Sequence, residues 1–233
     1  MNAMDTADVP TLASSAMLVE VNISNWTGRK KDKAASKDVT TRNNANDGVA
    51  SVHKALLADS NNLRAIQQHV TATRAAHAHM TMPWSNSGLR LLPTAQYFKY
   101  HKVMTEMLNE FWRLVKEFLS KYNDAVIDVQ ALLGNLFLRD DYPTLEALER
   151  KFAFSISYSD VPTGDFRVAL PAEAIAELTA NLNADHQNNL ERAMNDVWTR
   201  LHKALSNMSE RLDYTDKESK KIFRDTLVTN VTD

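Results

Sequence analysis

The sequence predicts an α+β protein in which helices dominate, with a long antiparallel helical hairpin on a small antiparallel sheet and further helices packed alongside. Three observations predict it. Met104, Leu108, Phe111, Val115, Phe118, Tyr122, Ala125, Val129 and Leu132 alternate steps of four and three residues, the spacing of a coiled-coil-like seam that needs covering. A second apolar set, Ile175, Leu178, Leu182, Leu190, Met194, Val197, Leu201, Leu205, Met208 and Leu212, supplies a helix of similar length to cover it. Between and before these lie short runs that alternate with a period of two, the mark of half-buried strands. Only five glycines in 233 residues argue against a β-rich architecture with many tight turns, and against glycine-rich phosphate loops.

Taken in order, residues 1–15 are small and polar around Pro10 and read as a flexible N-terminal arm. The rest, 16–233, reads as one domain. Met17 to Ser24 is rich in β-branched residues and reads as a strand closed by Trp26 and Gly28. Arg29 to Asn46 is polar and charged, a short helix ending at the turn Asn46-Asp47-Gly48. Val49 to Leu57 and Asn61 to His79 read as helices, the second capped by Asp59 or Ser60 and broken at Met82-Pro83-Trp84. Gly88 to Leu92 is a short strand before Pro93. Thr94 then caps the heptad helix, which runs to Leu133 before Gly134. The hairpin arms are thus about 94–133 and 171–212, the first about 58 Å long at 1.5 Å per residue.

Between the arms, Thr144 to Arg150 reads as a short helix. Phe152 to Tyr158 is a strand, with Phe166 to Leu170 as its hairpin partner. Pro171 opens the second arm, and Lys217 to Val228 reads as a last amphipathic helix. The second arm carries a polar interruption, Asn183 to Asn189, which implies either a solvent-exposed bend or partners from elsewhere.

Composition excludes several function classes. There are no cysteines, so disulfides, thiolate metal sites and cysteine nucleophiles are absent. Net charge is −2, which gives no bulk electrostatic reason to expect nucleic acid or membrane. No run approaches the roughly 20 apolar residues that span a bilayer. No nucleophile elbow, Walker loop or dinucleotide fingerprint occurs, and no catalytic residue, cofactor or metal is assigned. His69, His77 and His79 share a helix, but His77 and His79 point about 200° apart on it, a poor arrangement for one ion. Asp140-Asp141, Asp160 and Asp165 sit in turns, where aspartates mostly bond to local backbone.

Two surfaces remain. The helical interface comprises Met104, Leu108, Phe111, Val115, Phe118, Tyr122 and Val129 from the first arm. Met194, Val197, Leu201, Leu205 and Met208 come from the second. It reads as an intramolecular seam or as a docking or dimer face. The second surface is a basic segment, Arg29 to Arg42, with six cations against two aspartates. Arg29, Lys30, Lys31 and Lys33 can neutralise phosphates, and Trp26 just before them can stack on a base.

The stretch Leu18 to Lys33, LVEVNISNWTGRKKDK, resembles the opening of an uncharacterised family of tailed-phage and prophage proteins, matching it at Trp26, Gly28 and Lys30. The strip LRLLP at Leu89 to Pro93 is also similar. Members of that family are encoded near MoxR-like AAA+ ATPases and von Willebrand A-type proteins. The resemblance implies a non-enzymatic adaptor in the cytoplasm of the infected host, acting on an AAA+ ATPase, a host factor or copies of itself. A nucleic-acid-binding accessory of phage replication or recombination is the alternative, and an inhibitor of a host defence factor the third.

Overall fold

A computed structural model describes residues 12–58, 60–162 and 172–212. The elements are α1 (Leu12–Ser15), β1 (Ala16–Ser24), β2 (Arg29–Asp32), α2 (Lys33–Arg42), β3 (Val52–Ala55), α3 (Asn61–Met80), β4 (Met82–Pro83) and β5 (Arg90–Pro93). They continue with α4 (Tyr97–Leu133), α5 (Leu145–Glu149), β6 (Ala153–Ser159) and α6 (Ala172–Leu212). The class is α+β, predominantly α. One sheet has the order β4-β5-β1-β6, and a separate two-stranded ribbon pairs β2 with β3. The expected strand at 166–170 and helix at 217–228 lie outside the described residues.

The contacts divide the chain into two compact units, one of residues 1–20, 78–97 and 157–233, the other of 21–77 and 98–156. In the first, β1 and β5 run antiparallel, with Ala16 opposite Pro93 and Val19 opposite Arg90. Ala16, Leu18, Trp84, Leu91, Val161 and Ala193 form its core. Trp84 is therefore a plug. The polar interruption of α6 finds its partner here, because the His186 ring lies 5.6 Å from that of Trp84. The helix runs through it unbroken. Leu12 to Ser15, expected as part of a loose arm, form a helical turn whose Leu12 packs on this core. Thr94 does not cap α4 as expected. It opens a 3-10 turn, and its hydroxyl donates to the Ser15 carbonyl at 3.0 Å.

The second unit is built on α4. Met104, Phe111, Val115, Phe118, Tyr122, Val126 and Val129 are buried. The seam keeps the heptad as far as Tyr122 and then steps by four to Val126, leaving Ala125 half-buried and Leu132 exposed. A straight helix of 3.6 residues per turn drifts against a strict seven-residue repeat, so the buried line slips by one position. The seam was expected to find its cover in the second long helix. Within its own unit it has aromatic partners. Phe111 packs edge-on against Phe152 and Phe154, and Phe118 against Phe152. The Tyr122 hydroxyl donates to the Pro143 carbonyl at 3.0 Å, and burial pushes its pKa up to about 12. The helix beside α4 is α3. His69 Nε2 donates to the Met107 carbonyl at 2.8 Å, and His77 Nδ1 bonds the Tyr100 hydroxyl at 2.8 Å, an order that makes the two helices antiparallel.

Residues 49–57, expected as helix, contain the strand β3. Lys31 pairs with His53 and Lys30 with Lys54 in the antiparallel register. Leu56 then donates its N–H to the Gly28 carbonyl at 2.7 Å. Alanine, lysine and leucine favour helix by propensity, but the ladder to β2 and the burial of Lys54 outweigh a preference of a few tenths of a kcal/mol per residue.

Candidate interaction surfaces

The Trp26-Thr27-Gly28 motif turns the chain from β1 into β2. Trp26 is buried, with its ring 6.2 Å from Phe118 and 6.0 Å from Tyr122. Gly28 adopts φ +64, and a Cβ there would lie 2.7 Å from Leu63 Cδ2. Only glycine meets both conditions cheaply. Trp26 was expected as a base-stacking residue, and its burial argues against that role, since an indole 8% exposed offers little surface to a ligand.

The basic segment is split by strand alternation. Lys30 and Asp32 of β2 turn to one face of the ribbon, where Lys54 of β3 joins them. Asp141 approaches that face from the loop after α4. Lys30 Nζ lies 2.6 Å from Asp141 Oδ1. Lys54 Nζ pairs with Asp141 Oδ2, lies 3.9 Å from Asp32 Oδ2 and donates to the Leu136 carbonyl at 2.8 Å. The Lys54 and Asp141 side chains are each only 6% exposed. Burial works against the Asp141 charge, but hydrogen bonds and attraction from Lys30 and Lys54 outweigh it and hold the carboxyl below its ordinary pKa. Asp32 also caps α2, accepting from the Ala35 N–H at 2.9 Å. Lys30 therefore belongs to an internal ion cluster, whereas Arg29, Lys31 and Lys33 are exposed.

Neither Lys54 nor Asp141 was singled out from sequence as an ion-pair residue. The alternation Val52, Lys54, Leu56 carried the signal, but it is visible only once 52–55 is read as strand. The three helix histidines are dispersed: His69 and His77 bond to α4, and His79 is exposed. Among the described residues, no group of three or more His, Asp or Glu side chains could hold a metal ion.

A pair of arginines closes the C-terminal end of α3. Arg200 of α6 donates to the carbonyls of His79 at 2.6 Å, Ala78 at 2.7 Å and Thr81 at 3.0 Å. Arg90 donates to the carbonyls of Ala78 at 3.1 Å and Thr81 at 3.0 Å, and to the Thr81 hydroxyl at 2.6 Å. These carbonyls have no helical donors, and the helix dipole places negative charge there. Arg200→Lys keeps the charge but not the planar fork. It should lower stability by about 1–2 kcal/mol, read as a drop in denaturation midpoint with an unchanged slope.

Docked by Ala193 and Arg200, α6 turns a different face outward. Met194 (47% exposed), Val197 (40%), Trp198 (61%) and Leu205 (49%) lie on it, with Leu201 and Met208 half-buried along the same line. At 100° per residue this line sits roughly 90° round the helix from the face that meets β4. The interface residues expected from sequence are thus divided. Those of α4 form a core, and those of α6 form an exposed apolar stripe. No helix among the described residues is long and apolar enough to cross a membrane.

Comparison of the chain with protein-family models, curated proteins and solved structures finds no match. The reading of function therefore rests on these surfaces.

Proposed function

We propose that this chain is a non-enzymatic interaction protein whose contact surface is the apolar stripe of α6, and that the stripe docks against its own copy in a second chain. The observation that carries the reading is the exposure of Met194, Val197, Trp198 and Leu205 on a helix already anchored through its other face. Such a helix is ordered before it binds, which removes much of the entropic cost of docking. Trp and Met, here at Trp198 and Met194, are residue types enriched at interface centres.

The spacing supports a second copy as the occupant. Between Leu190 and Leu212 the heptad-spaced positions 190, 194, 197, 201, 205, 208 and 212 are all apolar, a series that reads the same in both directions about Leu201, with Trp198 beside it. Antiparallel pairing about a twofold axis at Leu201 sets Met194 against Met208 and Val197 against Leu205. This is the self-complementarity that an isologous dimer requires. No charged residue interrupts the series. The resemblance to phage proteins encoded near AAA+ ATPases is in keeping with a paired helical adaptor in the host cytoplasm.

Sedimentation equilibrium tests the reading. The wild-type chain should be dimeric at tens of micromolar. Leu205→Glu should make it monomeric while moving stability by no more than about 0.5 kcal/mol, as for an ordinary surface substitution. Val49→Glu, at an exposed apolar residue far from α6 in sequence, should leave the dimer intact. A monomeric wild type at 100 micromolar would overturn the proposal.

A further inference from the structure

The ribbon divides one basic segment between two tasks, and its solvent face is independent of α6. We propose that this face, formed by Arg29, Lys31 and His53 with Lys33 and Lys37 beyond it, binds the phosphate backbone of duplex nucleic acid.

The internal ion cluster takes Lys30 and Lys54 for one side of the ribbon. Alternation then places Arg29 and Lys31 on the other side, about 7 Å apart along the strand. The register sets His53 opposite Lys31 and Ala55 opposite Arg29, so neither strand places a carboxylate on this face. All four residues are exposed. Lys33 opens α2 and Lys37 follows one turn later, both also exposed. The two acids of the segment are occupied. Asp32 caps α2, and Asp38 pairs with Arg42 at 2.9 Å. Positive charge at this surface is therefore not neutralised locally.

The chemistry selects the ligand. Single strands are held by Phe, Tyr or Trp platforms on which bases stack; Trp26 is buried, and neither β2 nor β3 carries a Phe, Tyr or Trp. Membrane-surface segments add apolar groups that enter the headgroup layer, and the ribbon face has none. A narrow two-stranded antiparallel ribbon bearing cations fits a duplex groove and its flanking phosphates. Arg29, Lys31, Lys33 and Lys37 are the residue types that neutralise backbone phosphates.

Fluorescence anisotropy with a labelled 20-base-pair duplex tests this. With roughly three phosphates neutralised, affinity should fall about forty-fold between 50 and 200 mM salt. The double variant Arg29→Glu/Lys31→Glu should bind at least about tenfold more weakly at 50 mM salt. Arg29→Gln/Lys31→Gln should lie between it and the wild type. Lys102→Glu/Lys116→Glu, the same charge change on exposed positions of α4, should bind as the wild type does. Thermal melts establish that each variant is folded. Equal weakening in both Glu pairs, no duplex binding at 50 mM salt, or binding to phosphatidylserine vesicles in preference to duplex would each overturn the proposal.

Discussion

Asp141→Asn should cost about 3–5 kcal/mol of folding stability, the range for removing one partner from a buried ion pair. The reason is the cation left behind. Lys54 is buried with Asp141 in direct contact, while Asp32 stands 3.9 Å away and the Leu136 carbonyl takes one N–H. A neutral amide leaves that ammonium short of compensating charge. Lys30, half exposed, can turn to water. The double variant Asp141→Leu/Lys54→Met should be milder than the sum of the two single changes, because it removes the buried charge together with its partner. The effect also has a pH sign. The folded pKa of Asp141 is held below the unfolded value, so its stabilisation is fully present above about pH 4. It is lost as pH falls through the depressed folded pKa. Urea titrations at pH 7 and pH 3 measure both. An Asn variant with the wild-type midpoint at pH 7 would show that the cluster is not structural.

Trp26→Ala should be comparably destabilising, about 3–5 kcal/mol by loss of a large core aromatic. The buried indole packs beside Phe118 and Tyr122 where the chain leaves β1. Trp26→Phe should retain most of the stability and leave duplex affinity unchanged, since the ring touches no ligand. A Phe variant that is fully stable yet loses duplex binding would restore the stacking role that burial argues against. Chemical denaturation paired with the anisotropy assay separates the two.

Much of the architecture is legible in the chain, where one signal is strong and local. The apolar line of α4 as far as Tyr122, its end before Gly134, the Ser60 start of α3, a short helix after Pro143 and the strand in the period-two run from Phe152 all survive folding. So does the Glu117–Lys121 pair at 2.7 Å, which needs only helical spacing. In each case the deciding interaction lies within a turn or two of sequence.

The candidate surfaces are different, because they depend on which face of an element is covered. An apolar stripe states that a helix needs a partner but not which one. The stripes of α4 and α6 look alike in sequence, yet Phe152, Phe154 and Trp26 pack on the first, and the second is exposed. The basic segment shows the same division. Its composition determined that cations would gather after Trp26, and strand alternation determined that they would face two ways. Only the tertiary structure decided that Asp141, far along the chain, would claim Lys30 and Lys54 and leave Arg29 and Lys31 to solvent. Periodicity is set by local backbone geometry, whereas burial and ion pairing are set by contacts between residues far apart in the chain.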